Sequence, residues 1–203
     1  YNRIAHKPVY YHQDVLKRFD HVQLLNEALP HEPVEPETLM GKAGKEEVVK
    51  VIKYAMSLTE REIDPATYLH EDSMRYIVLE RGLSMAIYGM HAERQLPLET
   101  YFGFTIFKNG LPISYGGMWV FGNRSKVGFN IFEPYRGGES GYALCQLLRV
   151  FRQLFHISYF EVEPFQFGAD NEDAIASGAF WFYYKFGFRP VDTAIAEQAK
   201  FEY

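Results

Sequence analysis

The chain has 203 residues and a mass of 23.6 kDa, room for one domain or a little more, since single domains run to roughly 100–200 residues. With 47% apolar and 23% charged residues it has globular rather than disordered composition, and no apolar run approaches the roughly 20 residues that cross a bilayer. A net charge of −5, with neither half strongly basic, argues against the positive face by which proteins hold nucleic acid through its phosphates.

Aromatic residues are abundant: 17 Phe, 15 Tyr and 2 Trp, enough for a full core and a lined cleft. The lone Cys145 cannot form an internal disulfide, which points to a reducing, cytoplasmic setting. The chain opens on Tyr1 rather than Met, so it is expected to be a piece of something longer, and no charged-then-apolar leader is visible at its start.

Val15, Phe19, Val22 and Leu25 recur at helical spacing and predict a helix over 14–29, stopped by Pro30. The Pro- and Glu-rich stretch at 31–37 reads as an exposed connector. A second helix is predicted over 45–58, with Val48, Val51, Ile52 and Ala55 on one face, and Asp64–Pro65 marks a turn or a short helix. From about residue 75 the pattern turns strand-like, with candidate strands at 75–80, 84–89, 100–107, 112–121 and 126–132. Asn109–Gly110 and Gly122–Asn123 supply the turns between them, the first as a hairpin signature. A strong amphipathic helix follows over 141–155, lined by Leu144, Leu147, Leu148, Phe151 and Phe155. A strand at 157–163, a loop with Asn171, a helix near 173–185 and a last strand around 187–192 close the chain. The order is α+β, or mixed α/β, in class. An N-terminal helical extension over 1–72 precedes the main domain at 73–203.

Chemistry concentrates between strand 126–132 and helix 141–155. Tyr135–Arg136–Gly137–Gly138–Glu139–Ser140–Gly141 joins them. Glycines let backbone N–H groups turn inward, and a helix N-terminus adds partial positive charge, so the segment can cradle a pyrophosphate. The alternative is a tight turn whose glycines answer only to sterics. Downstream, residues 171–190 run from Asn171 to Tyr183–Tyr184–Lys185–Phe186–Gly187–Phe188.

Together the two segments resemble the GCN5-related N-acetyltransferase (GNAT) superfamily, over about residues 100–192. Arg136, Gly137 and Gly141 match its R/Q-x-x-G-x-G/A loop. Asn171 and Ala174 match its N-x-x-A, and Tyr183, Lys185, Gly187 and Phe188 match its closing string. The resemblance implies a central, mostly antiparallel sheet flanked by helices, acetyl-CoA or another acyl-CoA as cosubstrate, and acyl transfer to a small-molecule acceptor. Arg136, Gly137, Gly138, Ser140 and Gly141 would hold the pyrophosphate, Asn171 would meet the cofactor arm, and Tyr183 would be the general acid. Phe165–Gln166–Phe167–Gly168 falls where the pantetheine arm would run, offering it backbone polar groups.

Glu139 departs from the loop pattern and would repel phosphates unless its side chain turns away. Asn171 stands twelve residues before Tyr183 where the family spaces them by about seven, so 177–181 reads as an insertion. The family also places two helices between its first two strands, whereas here only 90–99 separates candidate strands and the helices come earlier. The candidate bases are Glu133, at the end of the strand before the loop, and Glu161 with Glu163, on one face of the following strand. Solvated carboxylates are the competing reading for all three, and a buried core tyrosine for Tyr183. Gly116–Gly117 marks a bulge or a close backbone approach, with Tyr115 and Trp119 as candidate acceptor walls or ordinary core. The histidines lack metal-ligand spacing, and Cys145 reads as a core residue. Two other classes compete: a catalytically inactive ligand-binding or interaction module on the same fold, and an enzyme taking its acyl group from a larger carrier. The oligomeric state, a homodimer included, is left open.

Overall fold

The computed structural model describes Ile4, residues 9–11, Val22, Gln23, Asn26, and residues 41–60 and 63–202. Of the helix expected over 14–29, Val22, Gln23 and Asn26 are helical. Its remainder and the connector at 31–37 lie outside the described residues. Helix α1 (Gly41–Leu58) buries the stripe Val48, Val51, Ile52 and Ala55 that its periodicity predicts, and α2 (Asp64–Thr67) carries Pro65 in its first turn, where a missing N–H costs nothing.

Five strands then form an antiparallel meander: β1 (Arg75–Val78), β2 (Leu83–Tyr88), β3 (Thr100–Lys108), β4 (Leu111–Phe121) and β5 (Arg124–Ile131). Asn109 and Gly110 close the β3–β4 hairpin with φ of 49° and 80°, a pair of left-handed residues whose twist matches the strands. After β5 the chain crosses through α3 (Ser140–Phe155) and returns as β6 (Tyr159–Glu161), parallel to β5. The sheet order is therefore β1 to β6 in sequence, mixed only at its last edge. Helices α4 (Pro164–Phe167), α5 (Glu172–Ala176), α6 (Ala179–Lys185) and α7 (Thr193–Glu202) follow. The class is α+β with a mostly antiparallel six-stranded sheet.

Strand alternation splits the apolar residues between two faces. Phe104, Ile106, Met118, Val127 and Phe129 pack with Leu144, Leu147, Phe151, Tyr183 and Phe186 on the α3 side. Tyr76, Ala86, Tyr88, Phe107, Tyr115 and Phe132 pack with Val48, Ile52 and Met56 on the α1 side, so α1 and the sheet share one core. Hydroxyls inside the sheet pair with each other: Tyr76 donates to Ser84 at 2.7 Å, and Tyr88 and Thr105 share a bond of 3.1 Å. Gly116 is a close-approach glycine, since a Cβ there would stand 1.8 Å from the Gly128 carbonyl oxygen. The register irregularity in β3–β4 falls at Ile106/Phe107, not at this pair.

The C-terminal third departs from the sequence reading in three places. The strand expected at 157–163 stops at Glu161, and Pro164 opens α4, so 164–167 is helical rather than a loop. The helix expected near 173–185 is broken at Ser177–Gly178, where Gly178 takes φ of 70°. The strand expected around 187–192 does not form. Gly187 (φ 91°) reverses the chain, and Arg189 pins it by donating to the carbonyls of Tyr184 and Phe188 at 2.6 and 2.8 Å while lying over the Tyr184 ring. The chain then enters α7, for which the sequence reading offered no element.

Candidate functional site

Strand β6 pairs with β5 only through Arg124↔Tyr159, Ser125↔Phe160 and Lys126↔Glu161. Beyond Lys126 the two strands part, because Pro164 turns the chain into α4 instead of continuing the ladder. The free stretch of β5 runs to Ile131, roughly 16 Å at about 3.3 Å per residue. Phe129 N–H faces the gap, and alternation turns the backbone groups of Ile131 the same way. A cleft of 730 Å³ fills this opening. Its walls are Phe129 to Gly137 and Ser140, Phe165 and Gln166 of α4, Asn171, Ala174, Phe182 and Tyr183, and Ala55 and Leu58 of α1 with Thr59 just after it.

One end of the cleft is the glycine turn. Gly137 and Gly138 take φ of 84° and 53°, and a Cβ at either would meet nothing among the described residues, so the left-handed backbone is what calls for glycine there. Gly141 is glycine for another reason: a Cβ would stand 2.5 Å from Phe186 Cζ. That contact seats the closing string of aromatics directly on the first turn of α3. Glu139 occupies the N-cap position with no side-chain bond to that turn. Its Oε2 instead accepts from Lys108 Nζ at 2.5 Å, with the two side chains 14% and 20% exposed. Lys108 also donates to the Arg81 carbonyl at 2.7 Å. The departure from the glycine pattern is thus neutralised by a cation from the end of β3, and Glu139 is absent from the cleft lining. Arg136 is exposed and lines the cleft beside Gly137 and Ser140, while Ser140 Oγ donates to the Gly137 carbonyl at 2.5 Å.

At the other end stands Tyr183, 3% exposed, with its hydroxyl donating to Gln166 Oε1 at 2.9 Å. Burial pushes its ionisation well above the ordinary tyrosine range, so it stays a phenol and a hydrogen-bond donor at neutral pH. Asn171 caps α5, its Oδ1 accepting from Ala174 N–H at 3.1 Å and its Nδ2 donating to the Phe165 carbonyl at 3.0 Å. Both side chains reach α4 and both line the cleft, because the break at Gly178 folds α6 back beside α5 despite the long spacing.

The three carboxylates predicted as bases are not brought together. Glu133 lies exposed in a turn at the end of β5 and lines the cleft. Glu161 is ion-paired with Arg124, and Glu163 with Lys126 at 2.8 Å, both outside the lining. Tyr115 reaches the cleft wall, whereas Trp119 stacks on Tyr101 at 3.8 Å away from it. Cys145 is a core residue, 1% exposed, its thiol pushed up to about 12 by burial. Sequence reasoning missed the end of α1 as a cleft wall, the Lys108 anchor and the Gln166 side chain. Only the last carried a visible signal, as the one polar residue in Phe165–Gln166–Phe167. No helix among the described residues is long and apolar enough to cross a membrane. No protein-family model and no curated protein sequence matches the chain.

Proposed function

We propose that this protein is an acyl-CoA-dependent acyltransferase of the GNAT kind, moving an acyl group from a CoA thioester to the amine of a small-molecule acceptor. One observation carries the reading: a strand edge left unpaired for more than half its length leads straight into a glycine-turned, side-chain-uncapped helix N-terminus. An unpaired edge suits an extended arm with amide groups, and a helix N-terminus suits the pyrophosphate that follows such an arm. Arg136, Gly137, Gly138, Ser140 and Gly141 hold the phosphates, and Asn171 lies beside the arm. The amine nitrogen attacks the thioester carbonyl, the tetrahedral intermediate collapses, and the C–S bond breaks. Tyr183 gives its proton to the departing thiolate. Among the candidate bases, Glu133 is the one in the cleft, at its glycine-turn end, and takes the amine proton through intervening water. The lone cysteine favours a reducing, cytoplasmic setting.

A second reading, a catalytically inactive module on the same fold, draws on a specific fact: the Tyr183 hydroxyl and both polar atoms of Asn171 are already bonded within the protein. Calorimetric titration of CoA and acetyl-CoA into the wild type and Arg136→Ala tests the cofactor. Micromolar binding weakened in the variant supports the pyrophosphate site, and absence of binding to the wild type sinks the free acyl-CoA reading. Turnover that survives Tyr183→Phe unchanged removes Tyr183 as the acid. CoA binding without turnover on any amine favours the inactive module, and turnover only with a carrier-bound acyl group favours a carrier-dependent enzyme.

A further inference from the structure

One side chain lines the cleft where β6 leaves β5. Gln166 Oε1 accepts from Tyr183 OH at 2.9 Å and from Phe129 N–H at 3.4 Å, so the carboxamide stands where a β6 backbone carbonyl would have continued the ladder. On its other side Nε2 lies 3.1 Å from where a Cβ on Gly128 would be. Glycine at 128 therefore gives this amide its seat. The carboxamide fills the point at which the strands begin to part, just beyond the last pair, Lys126↔Glu161.

We infer that Gln166 determines how long an acyl group this protein accepts, an inference that rests on the acyl-CoA reading of the same cleft. CoA is a linear molecule with its pyrophosphate near one end and its thiol at the other. Phosphates at Arg136 to Gly141 direct the thioester along the free edge of β5 toward Phe129, and the acyl chain toward Gln166. The walls there are Phe129 and Phe182, stacked at 6.4 Å, and the edge of Tyr183. These are apolar surfaces that would accept a longer chain were the end open. The obstacle is the polar, hydrogen-bonded amide. An incoming alkyl chain must displace it and leave the Phe129 N–H and the Tyr183 hydroxyl, both on buried residues, without their acceptor. A short acyl group stops before that point.

Truncation to alanine removes the four heavy atoms beyond Cβ, space for about the four carbons by which hexanoyl exceeds acetyl. Methionine keeps the volume and loses both hydrogen bonds. The experiment titrates the full chain, as wild type, Gln166→Ala and Gln166→Met, with CoA, acetyl-CoA, butyryl-CoA and hexanoyl-CoA, and follows thermal unfolding of each variant. Gln166→Ser carries the same test if the alanine variant does not fold. Wild type is expected to bind hexanoyl-CoA at least about tenfold more weakly than acetyl-CoA, and Gln166→Ala to bring the two within about threefold. Gln166→Met is expected to fall between the two, because it keeps the volume but not the hydrogen bonds that hold the obstacle in place. An acetyl-to-hexanoyl ratio that is the same in wild type and the shortened variants, with CoA itself bound by all, overturns the assignment and leaves the acyl-CoA reading standing. If wild type binds no CoA at all, the reading fails and the assignment with it.

Discussion

Lys108→Met would break the ion pair that holds Glu139 at the start of α3. The pair is short, 2.5 Å, and mostly buried, with side chains 20% and 14% exposed. A charge-assisted hydrogen bond of this kind contributes roughly 1.5–3 kcal/mol, and partial exposure moves the figure toward its lower half. The second bond from Lys108 to the Arg81 carbonyl, 2.7 Å, is lost at the same time. The expected destabilisation is about 2 kcal/mol, a fall in melting temperature of about 4–8 °C for a chain of this size. Part of that loss comes from taking this cation away from the partly buried Glu139 carboxylate, so Lys108→Met with Glu139→Gln should recover about half of it. The carboxylate, no longer held by Lys108, sits next to Gly138 and opposes any phosphate there. CoA should therefore bind about tenfold more weakly to Lys108→Met, with the defect shrinking as salt rises, while Glu139→Gln alone should bind normally. Urea unfolding and calorimetric titration of the four forms give both readings. A coupling energy within about 0.5 kcal/mol of zero, with the double variant no more stable than Lys108→Met, would refute the argument that the anchor neutralises the loop.

Tyr183→Phe should cost about 1 kcal/mol by leaving Gln166 Oε1 short of a donor, and should lower turnover at least about tenfold with little change in acetyl-CoA affinity. Unfolding curves and a kcat-against-KM split measure the two. Gly141→Ala should destabilise by about 1–3 kcal/mol because its methyl meets the Phe186 ring. Phe186→Leu in the same chain should relieve part of that, and an additive pair would contradict the contact. Stability should fall in two steps as pH rises. Cys145 is held protonated up to about 12 against an ordinary 9.0, and Tyr142, chiefly by burial, up to about 12 against 10.0. Raised folded values mean stability that is intact below the unfolded values and is lost as pH climbs from them toward the folded ones. Stability should thus begin to fall near pH 9 at up to about 1.4 kcal/mol per pH unit. In Cys145→Ala the fall should begin near pH 10, when the tyrosines take over. Identical slopes between pH 9 and 10 in the two proteins would refute the assignment.

The meander was legible because its signals are local. Asn109–Gly110 fixes a hairpin by backbone conformation, and α1 and α3 announce their buried faces through spacing that no distant residue alters. The failures after residue 157 share a physical cause. Phe186 to Val191 has the composition of a strand, but a strand exists only where a neighbour offers an edge, and Arg189 spends its donors on turning the chain instead. The early end of β6 is likewise a property of the pair: Pro164 stops the ladder on one side, and the Gln166 amide then occupies what Phe129 would have bonded. Nothing in the local pattern of 157–163 distinguishes that outcome from a full-length strand.

The same distinction runs through the glycine turn. Its left-handed pair, Gly137 and Gly138, can be read from the sequence because only the backbone is involved, and among the described residues no neighbour lies within reach of a Cβ there. Gly141 belongs to a different constraint, imposed by Phe186 forty-five positions away, and Glu139 to a third, imposed by Lys108 from β3. A motif that looks like one object in the sequence is therefore held from three directions. The aromatic string after α6 presses on its helix and β3 neutralises its carboxylate, which leaves Arg136, the two left-handed glycines and the backbone of Ser140 and Gly141 to meet an anion. Substitutions that weaken anion binding at this turn should accordingly separate into two sets. Those at Arg136 and Gly137 should act on the ligand with little change in stability beyond the backbone strain of a left-handed residue. Those at Gly141, Lys108 and Phe186 should lower affinity in step with the stability they remove.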